Sequence, residues 1–412
     1  MRFILLQFDK FLKRRRRAFD PLAQRREYAG PALFSYGFRP FFLFGAAWSA
    51  IIVPIWALFF ATGRGDVGGL SALYWHTHEM LFGFLSAIVA GFMLTAIPNW
   101  TSRLPVLGIR LMLLSGLWGA GRGAMLVYES MGIAAALVDA AFLIALALFA
   151  WKEVLIGRNW KNAPICFLAS VLALANIAFH GALLAGDDPH FAQNAAIAVL
   201  TIMISIIGGR IVPSFTRNWM AQSGLSPLPV VSTRFDWIAL IVLVAGLIAW
   251  LVRPDDIVTA GLLASAAILH FWRLAGWKGW RTLAEPLVTI LHLGYFWLPT
   301  ALVLMAAAIL ASKHVQPSAA LHALTAGAMG TMTLAVMTRA SLGHTGRART
   351  ADRWIVTIYI LVLTAAIVRT FGPITVPENY DQVISYSAAL WALAFAGFVA
   401  RFGYVLSTPR QA

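Results

Sequence analysis

Cysteine is almost missing from this chain. Cys166 is the only one in 412 residues, which excludes a disulfide scaffold and a cysteine-ligated iron–sulfur cluster. Charge is also scarce. Asp, Glu, Lys and Arg make up 12% of the residues, where soluble domains run to about a quarter, so a soluble globular fold is excluded. There is no C-x-x-C-H for covalent heme attachment, no P-loop and no G-x-G-x-x-G fingerprint, and no soluble redox domain is attached. What the chain has instead is apolar surface. With 60% hydrophobic residues, intrinsic disorder is excluded as well.

A bilayer-crossing helix needs roughly 20 mostly apolar residues. Twelve such runs lie near 35–61, 74–98, 107–128, 132–151, 163–185, 191–212, 236–252, 256–272, 284–311, 318–339, 353–371 and 381–406. The connectors hold breakers such as Gly63-Arg64-Gly65 and Asp187-Asp188-Pro189. The expected fold is therefore an all-α polytopic membrane protein. Residues 1–30 read as a basic leader, because the apolar start precedes the run Lys13 to Arg17, the reverse of signal-peptide order. Residues 31–412 read as a single domain of twelve transmembrane helices.

The net charge of +15 depends for its meaning on where the 32 Lys and Arg lie. Arg64, Arg253 and Lys313 fall in loops on one side, and Arg122 and Arg369 fall within spans. The other 27 fall in the leader, the loops of the opposite side with the span ends that adjoin them, and the C-terminal end. By the positive-inside rule both termini are cytoplasmic. The basic leader suits anionic lipid. No folded surface with interleaved aromatic and basic residues is visible, so a nucleic-acid partner is not expected.

Spans 2, 6 and 10 end alike, in Ala96 to Arg103, Ile211 to Trp219 and Ala340 to Arg347. His78, Gly83, Met93, Thr101 and Arg103 match His322, Gly327, Met337, Thr345 and Arg347, each pair 244 residues apart. This self-similarity points to three pseudo-repeats of four helices, about 31–151, 152–272 and 273–412.

Ionisable groups inside spans are costly and usually functional. The richest segment is Trp75-His76-Thr77-His78-Glu79. Residues two apart on a helix point about 200° from each other, so His76 and His78 are expected to face different sites. Glu79 suits the role of orienting a ligating imidazole. If the repeat is real, His322 joins His78 in one layer, and two imidazoles from facing helices are a common way to hold heme iron or copper. Small residues beside them, such as Gly83 and Gly327, leave room for close helix contact or for a flat macrocycle. His292, about two turns into span 9, suggests a second metal site, and His180 is a further candidate ligand. Arg122 and Asp139 are expected either to pair, or to leave Arg122 for a heme propionate.

Longer segments add a resemblance. Leu33 to Phe42, Trp75 to Phe84, Ile97 to Thr101, Gly209 to Trp219, His292 to Pro299 and His322 to Arg347 resemble the NnrS family over nearly the whole chain. The resemblance implies a bacterial inner-membrane protein with heme, taken as heme b, and copper. It also implies a link to nitric oxide metabolism, denitrification and nitrosative-stress defence. Two readings follow. One is an oxidoreductase that binds nitric oxide and reduces two NO to N2O. Here His78, His322 and Arg122 hold the cofactor, and His76, His180 and His292 give further ligation. Glu79 and Asp139 relay protons, and a separate donor (a quinol or a small redox protein) supplies electrons. The alternative is a non-enzymatic NO or metal sensor, buffer or transporter.

The orientation has a direct check. A cysteine placed at Lys313 should react with an impermeant thiol reagent in spheroplasts, and one placed at Arg349 only after lysis. Reversed labelling would reverse the assigned orientation.

Overall fold

A computed structural model describes residues 28–411 apart from Arg64, Ser102 and Ser232. The basic leader assigned to 1–30 therefore lies outside the described residues except for Tyr28, Ala29 and Gly30.

The described chain is almost wholly helical. Eleven helices are long and apolar enough to cross a membrane. We number the long helices α1 (Phe38–Thr62), α2 (Ala72–Thr101), α3 (Ile109–Leu126), α4 (Ile133–Ile156), α5 (Ala163–Ala185) and α6 (His190–Gln222). The second half holds α7 (Arg234–Val252), α8 (Ile257–Gly276), α9 (Pro286–Leu310), α10 (Pro317–His344), α11 (Arg353–Thr375) and α12 (Tyr380–Ser407). Helix α3 lies where the third span was expected, yet it is not among the eleven: it has 18 residues and carries Arg110, Arg122 and four glycines. The chain is a multi-pass membrane protein by the length and composition of the other eleven.

Local chemistry explains where the helices stop. Gly63 and Gly186 take left-handed conformations at the ends of α1 and α5, which glycine adopts without steric penalty. Thr233 and Asp236 form a reciprocal capping box at the start of α7. Asp352 caps α11 by accepting from the Ile355 amide at 2.9 Å. A two-residue antiparallel ribbon, Asp66–Val67 with Leu70–Ser71, fills the turn between α1 and α2.

Consecutive helices pack side by side, and α12 returns to pack along α1. Helices α2, α10 and α6 are the most deeply enclosed, with 78%, 67% and 61% of their hydrophobic windows buried. These are the three helices that share the terminal motif. They meet around an apolar cavity of about 90 Å³, lined on α2 by Leu85 and Ile88, on α6 by Met203 and Ile207, and on α10 by Met329 and Met332.

Two of the three are not regular α-helices. In α2 a π-helical stretch runs over Glu79–Leu85, and in α10 another runs over Ala323–Gly330. Each begins at the residue after the matched histidine, His78 or His322. Such stretches widen the helix and leave carbonyls for other donors. The Gly83 carbonyl accepts from Trp118 Nε1 at 3.0 Å and from Ser86 Oγ at 3.0 Å. Helix α6 is α-helical throughout.

Candidate metal centre

Four helices deliver polar side chains to one buried place, about two turns in from the end of the bundle where α1 finishes. His78 and Glu79 come from α2, Arg122 from α3, Asp139 from α4, and Asn176 and His180 from α5. All are shut away from solvent, with His78 and Glu79 at 0% exposure. Helix geometry sets up the α5 pair, because residues four apart lie on one face.

Arg122 is the hub. Its Nη1 donates to Glu79 Oε2 at 2.6 Å and its Nη2 to Asp139 Oδ1. Trp48 Nε1, from α1, also donates to Glu79 Oε2, at 2.7 Å. The second oxygen of Asp139, Oδ2, accepts from Asn176 Nδ2 at 2.9 Å and faces His180 Nε2 at 2.9 Å and His78 Nε2 at 3.1 Å. The other nitrogen of His78, Nδ1, faces Glu79 Oε1 at 3.0 Å. Tyr128 stacks on the His180 ring, with centroids 5.6 Å apart and planes 12° from parallel. His180 Nδ1 has no partner.

The charges can be counted. Two carboxylates face one guanidinium, which leaves one negative charge deep in an apolar bundle. A buried charge without a partner is strongly destabilising, by about 3–5 kcal/mol when one member of a pair is lost. Both nitrogens of His78 face oxygens that only accept, so in this arrangement both carry hydrogen. The resulting imidazolium balances the site. A cation taking the place of that proton would balance it equally.

Two glycines make the cluster possible. A Cβ at Gly83 would lie 2.5 Å from Arg122 Nη1 and 2.9 Å from Glu79 Oε2, and one at Gly121 would lie 2.8 Å from Asp139 Oδ1.

The other expected site residues are placed elsewhere. His78 and His322 are not brought together. The His322 ring hydrogen-bonds through Nδ1 to the Ser318 carbonyl at 2.7 Å. Its electrostatic neighbours are Arg369 and His76. His76 stacks on Trp56 of α1, with centroids 4.3 Å apart. His76 and His78 thus face different neighbours, as their spacing suggests. His292 lies apart from both groups, and its Nε2 meets Thr216 Oγ1 at 2.8 Å. Thr216 gives its own hydrogen to the Val212 carbonyl, so His292 Nε2 donates and ties α9 to α6.

Sequence reasoning passed over several contributors. Asn176 carried a usable signal, an amide within a span four residues before His180. Trp48 carried none, since a tryptophan in an apolar helix reads as packing. A further buried cluster also went unread. In it Arg273 bonds Asp236, Ser205 and Tyr295, and Tyr295 meets His270 Nδ1 at 2.8 Å.

A family profile described as NnrS protein matches residues 32–410. The chain belongs to the NnrS family. Membership makes it a nitric-oxide-related membrane protein. A comparison with curated proteins found no match.

In this NnrS-family protein the donor set fits a metal ion. His78, Asp139 and His180 can each offer one ligand atom, all within 4.8 Å of one another. Two imidazole nitrogens and one carboxylate oxygen suit a first-row transition metal. A cation in place of the His78 proton keeps the charge balance, and Glu79 stands where an imidazole's second nitrogen needs an acceptor. A heme finds no such fit beside His78 or His322. The space at Gly83 is filled by Arg122, Glu79 and Trp48, and that at Gly327 by the Trp297 ring. Both ends of the Arg122 fork are also taken by carboxylates, which leaves none for a propionate.

Gly83→Ala and Gly121→Ala should each destabilise the protein by about 1–3 kcal/mol, the usual range for overpacking. Glycine-to-alanine changes at Gly116 and Gly119, where an added Cβ meets nothing within 4 Å, should not. Thermal unfolding in detergent compares the four, and equal stability of all of them would show that Arg122 is not tightly seated.

Proposed function

We propose that His78, Asp139 and His180 hold a copper ion, and that the protein uses it to bind nitric oxide within the bacterial inner membrane and reduce it. The observation that carries this reading is the buried two-imidazole, one-carboxylate group, in which two carboxylates face one guanidinium and only a proton on His78 completes the balance. When bound, copper would supply an electrophilic site for NO and a one-electron couple.

The chain's own residues do the rest. Glu79 accepts the Nδ1 hydrogen of His78 and so leaves the Nε2 lone pair for the metal. Arg122 and Asn176 hold Asp139, one on each oxygen. A monovalent ion that replaces the His78 proton leaves the site neutral, and a divalent one adds a single positive charge. The overall conversion, two NO with two electrons and two protons to N2O and water, draws its electrons from a separate donor such as a quinol or a small redox protein. The protons come from the same side of the membrane as the site, with Glu79 and Asp139 as carriers. NO is small and uncharged, and reaches a buried site through lipid.

Heme b, which the family resemblance also implies, has no place beside His78 or His322, and no step is routed through it. The architecture read from the sequence belongs to the same proposal. Twelve spans form three units of four helices with both termini in the cytoplasm, which puts the metal centre in the outer half of the bundle. Support comes from the three deeply enclosed helices α2, α6 and α10 and from the matched π stretches of α2 and α10.

The expected outcomes are specific. Purified protein should take up one metal ion and release about one proton as it does so, because the ligands must be deprotonated. His78→Ala and His180→Ala should lose the metal, His322→Ala should keep it, and Glu79→Gln should weaken affinity about 10–100-fold. Metal analysis with calorimetry checks all four, and metal content unchanged in His78→Ala and His180→Ala would refute the site. Anaerobic NO consumption with a chemical reductant then separates turnover from the alternative of a sensor, buffer or transporter, in which NO binds without being consumed.

A further inference from the structure

A second polar cluster lies at the same end of the bundle, and its charge balance is the reverse of the first. Arg369 of α11 is 6% exposed, and its Nε and Nη1 are buried with no hydrogen-bond partner. Tyr380, at the start of α12, hydrogen-bonds to the guanidinium and is a neutral partner rather than a counter-charge. His76 and His322 are the two histidines that feel its charge. His76 Nδ1 is also buried and unpaired. Among the described residues none of the three forms an ion pair with a carboxylate. Aromatic rings join the members: Trp56 stacks on His76 and on Phe60, and Phe60 meets Tyr380 edge-on at 6.0 Å.

A guanidinium enclosed among apolar helices and left with two unmet donors is an expensive arrangement. Each buried donor without a partner costs about 1–3 kcal/mol, and more when it is charged. Intramembrane arginines are nearly always paired or lie against a pathway or ligand. Among the described residues no carboxylate of α1, α2, α10, α11 or α12 forms an ion pair with Arg369. His76 and His322 are only half-buried, so the cluster opens toward the end of the bundle while Arg369 stays enclosed.

We infer that Arg369, His76 and His322 form a binding site for a small monovalent oxyanion, the conjugate base of a weak acid such as nitrous or formic acid. The oxygens of such an ion accept from the unmet donors of Arg369. With Nδ1 of His322 committed to the Ser318 carbonyl, its Nε2 is the position that takes up a proton once a negative charge sits beside it. Anion and proton therefore bind together, and the net charge of the cluster does not change beyond that of Arg369. Trp56 and Phe60 cover one side with flat apolar surface. The cluster shares no residue with His78, Asp139 and His180, so the inference stands apart from the metal proposal.

The test uses full-length protein in detergent, titrated with sodium nitrite and with sodium formate against sodium chloride at equal ionic strength. Calorimetry in two buffers of different ionisation enthalpy reads affinity and proton uptake together. Wild-type protein should bind nitrite or formate with uptake of about one proton, and chloride at least about ten-fold more weakly. Arg369→Gln should weaken oxyanion binding by about ten-fold or more. His322→Gln should bind with little proton uptake, and because His322 is half-buried it gives a second readout if Arg369→Gln does not fold. Thermal unfolding of the same samples in detergent reports folding independently. No heat of binding to wild type up to tens of millimolar anion overturns the inference. So does equal affinity in wild type and in folded Arg369→Gln or His322→Gln protein with unchanged proton uptake.

Discussion

The ionic contact of Arg122 with Glu79 and Asp139 is the constraint on which the rest of the buried centre depends. A guanidinium between two carboxylates in a medium of low dielectric is held by strong attraction. Each group would be severely destabilising alone. The contact joins α2, α3 and α4 and sets the positions of both carboxylates. Once Asp139 is held by its first oxygen, its second is turned toward Asn176, His78 and His180. Once Glu79 is held, its free oxygen faces His78. The histidines are thus oriented by carboxylates that are themselves oriented by one arginine. The glycines at 83 and 121 are what allow side chains this large to approach the backbone so closely.

The π stretch that follows His78 belongs to the same design. It widens α2 where Arg122, Trp48 and Trp118 all reach toward it, and it frees the Gly83 carbonyl for the Trp118 indole. A matching stretch follows His322 in α10, but what surrounds it differs. There Trp297 and Trp391 fill the glycine spaces, and the nearest charge is the positive one of Arg369. Equivalent backbone positions have therefore been given opposite electrostatic surroundings. One centre holds two carboxylates around one guanidinium and the other a guanidinium with no paired carboxylate, and His76 and His78 deliver one imidazole to each from a single helical turn.

The apolar cavity is a third element, chemically neutral. It sits where α2, α6 and α10 meet, on the side of the π stretches away from the histidines, and its lining is hydrocarbon and thioether. The polar chemistry is assembled where the surrounding helices turn buried side chains inward, as α3, α4 and α5 do toward His78 and Glu79 on the enclosed α2.

Much of this could be read without coordinates. Apolar runs of bilayer length follow from composition because a helix must satisfy its own backbone in hydrocarbon. The pairing of Arg122 with Asp139 was open to expectation, since an isolated intramembrane charge is so costly. Glu79 beside a histidine was recognisable as an orienting group. The segments shared with the NnrS family were legible by pattern alone. Helix α3 was expected as a span from its apolar run, but its two arginines and its glycines leave it outside the eleven helices apolar enough to cross a membrane.

What the sequence alone determined, then, is the kind of protein, the number and order of its apolar segments, and the short roll of polar residues that must find partners inside. Which partners they find was decided by the tertiary structure. A match at 244 residues' distance puts His78 and His322 in equivalent places, but equivalence along the chain is not proximity in space. His78 meets His180 because α2 and α5 both reach Asp139 on α4, and His322 meets Arg369 because α10 packs on α11. Those neighbours depend on how twelve helices close into one bundle, a property of all the interhelical contacts together that no local stretch of sequence contains.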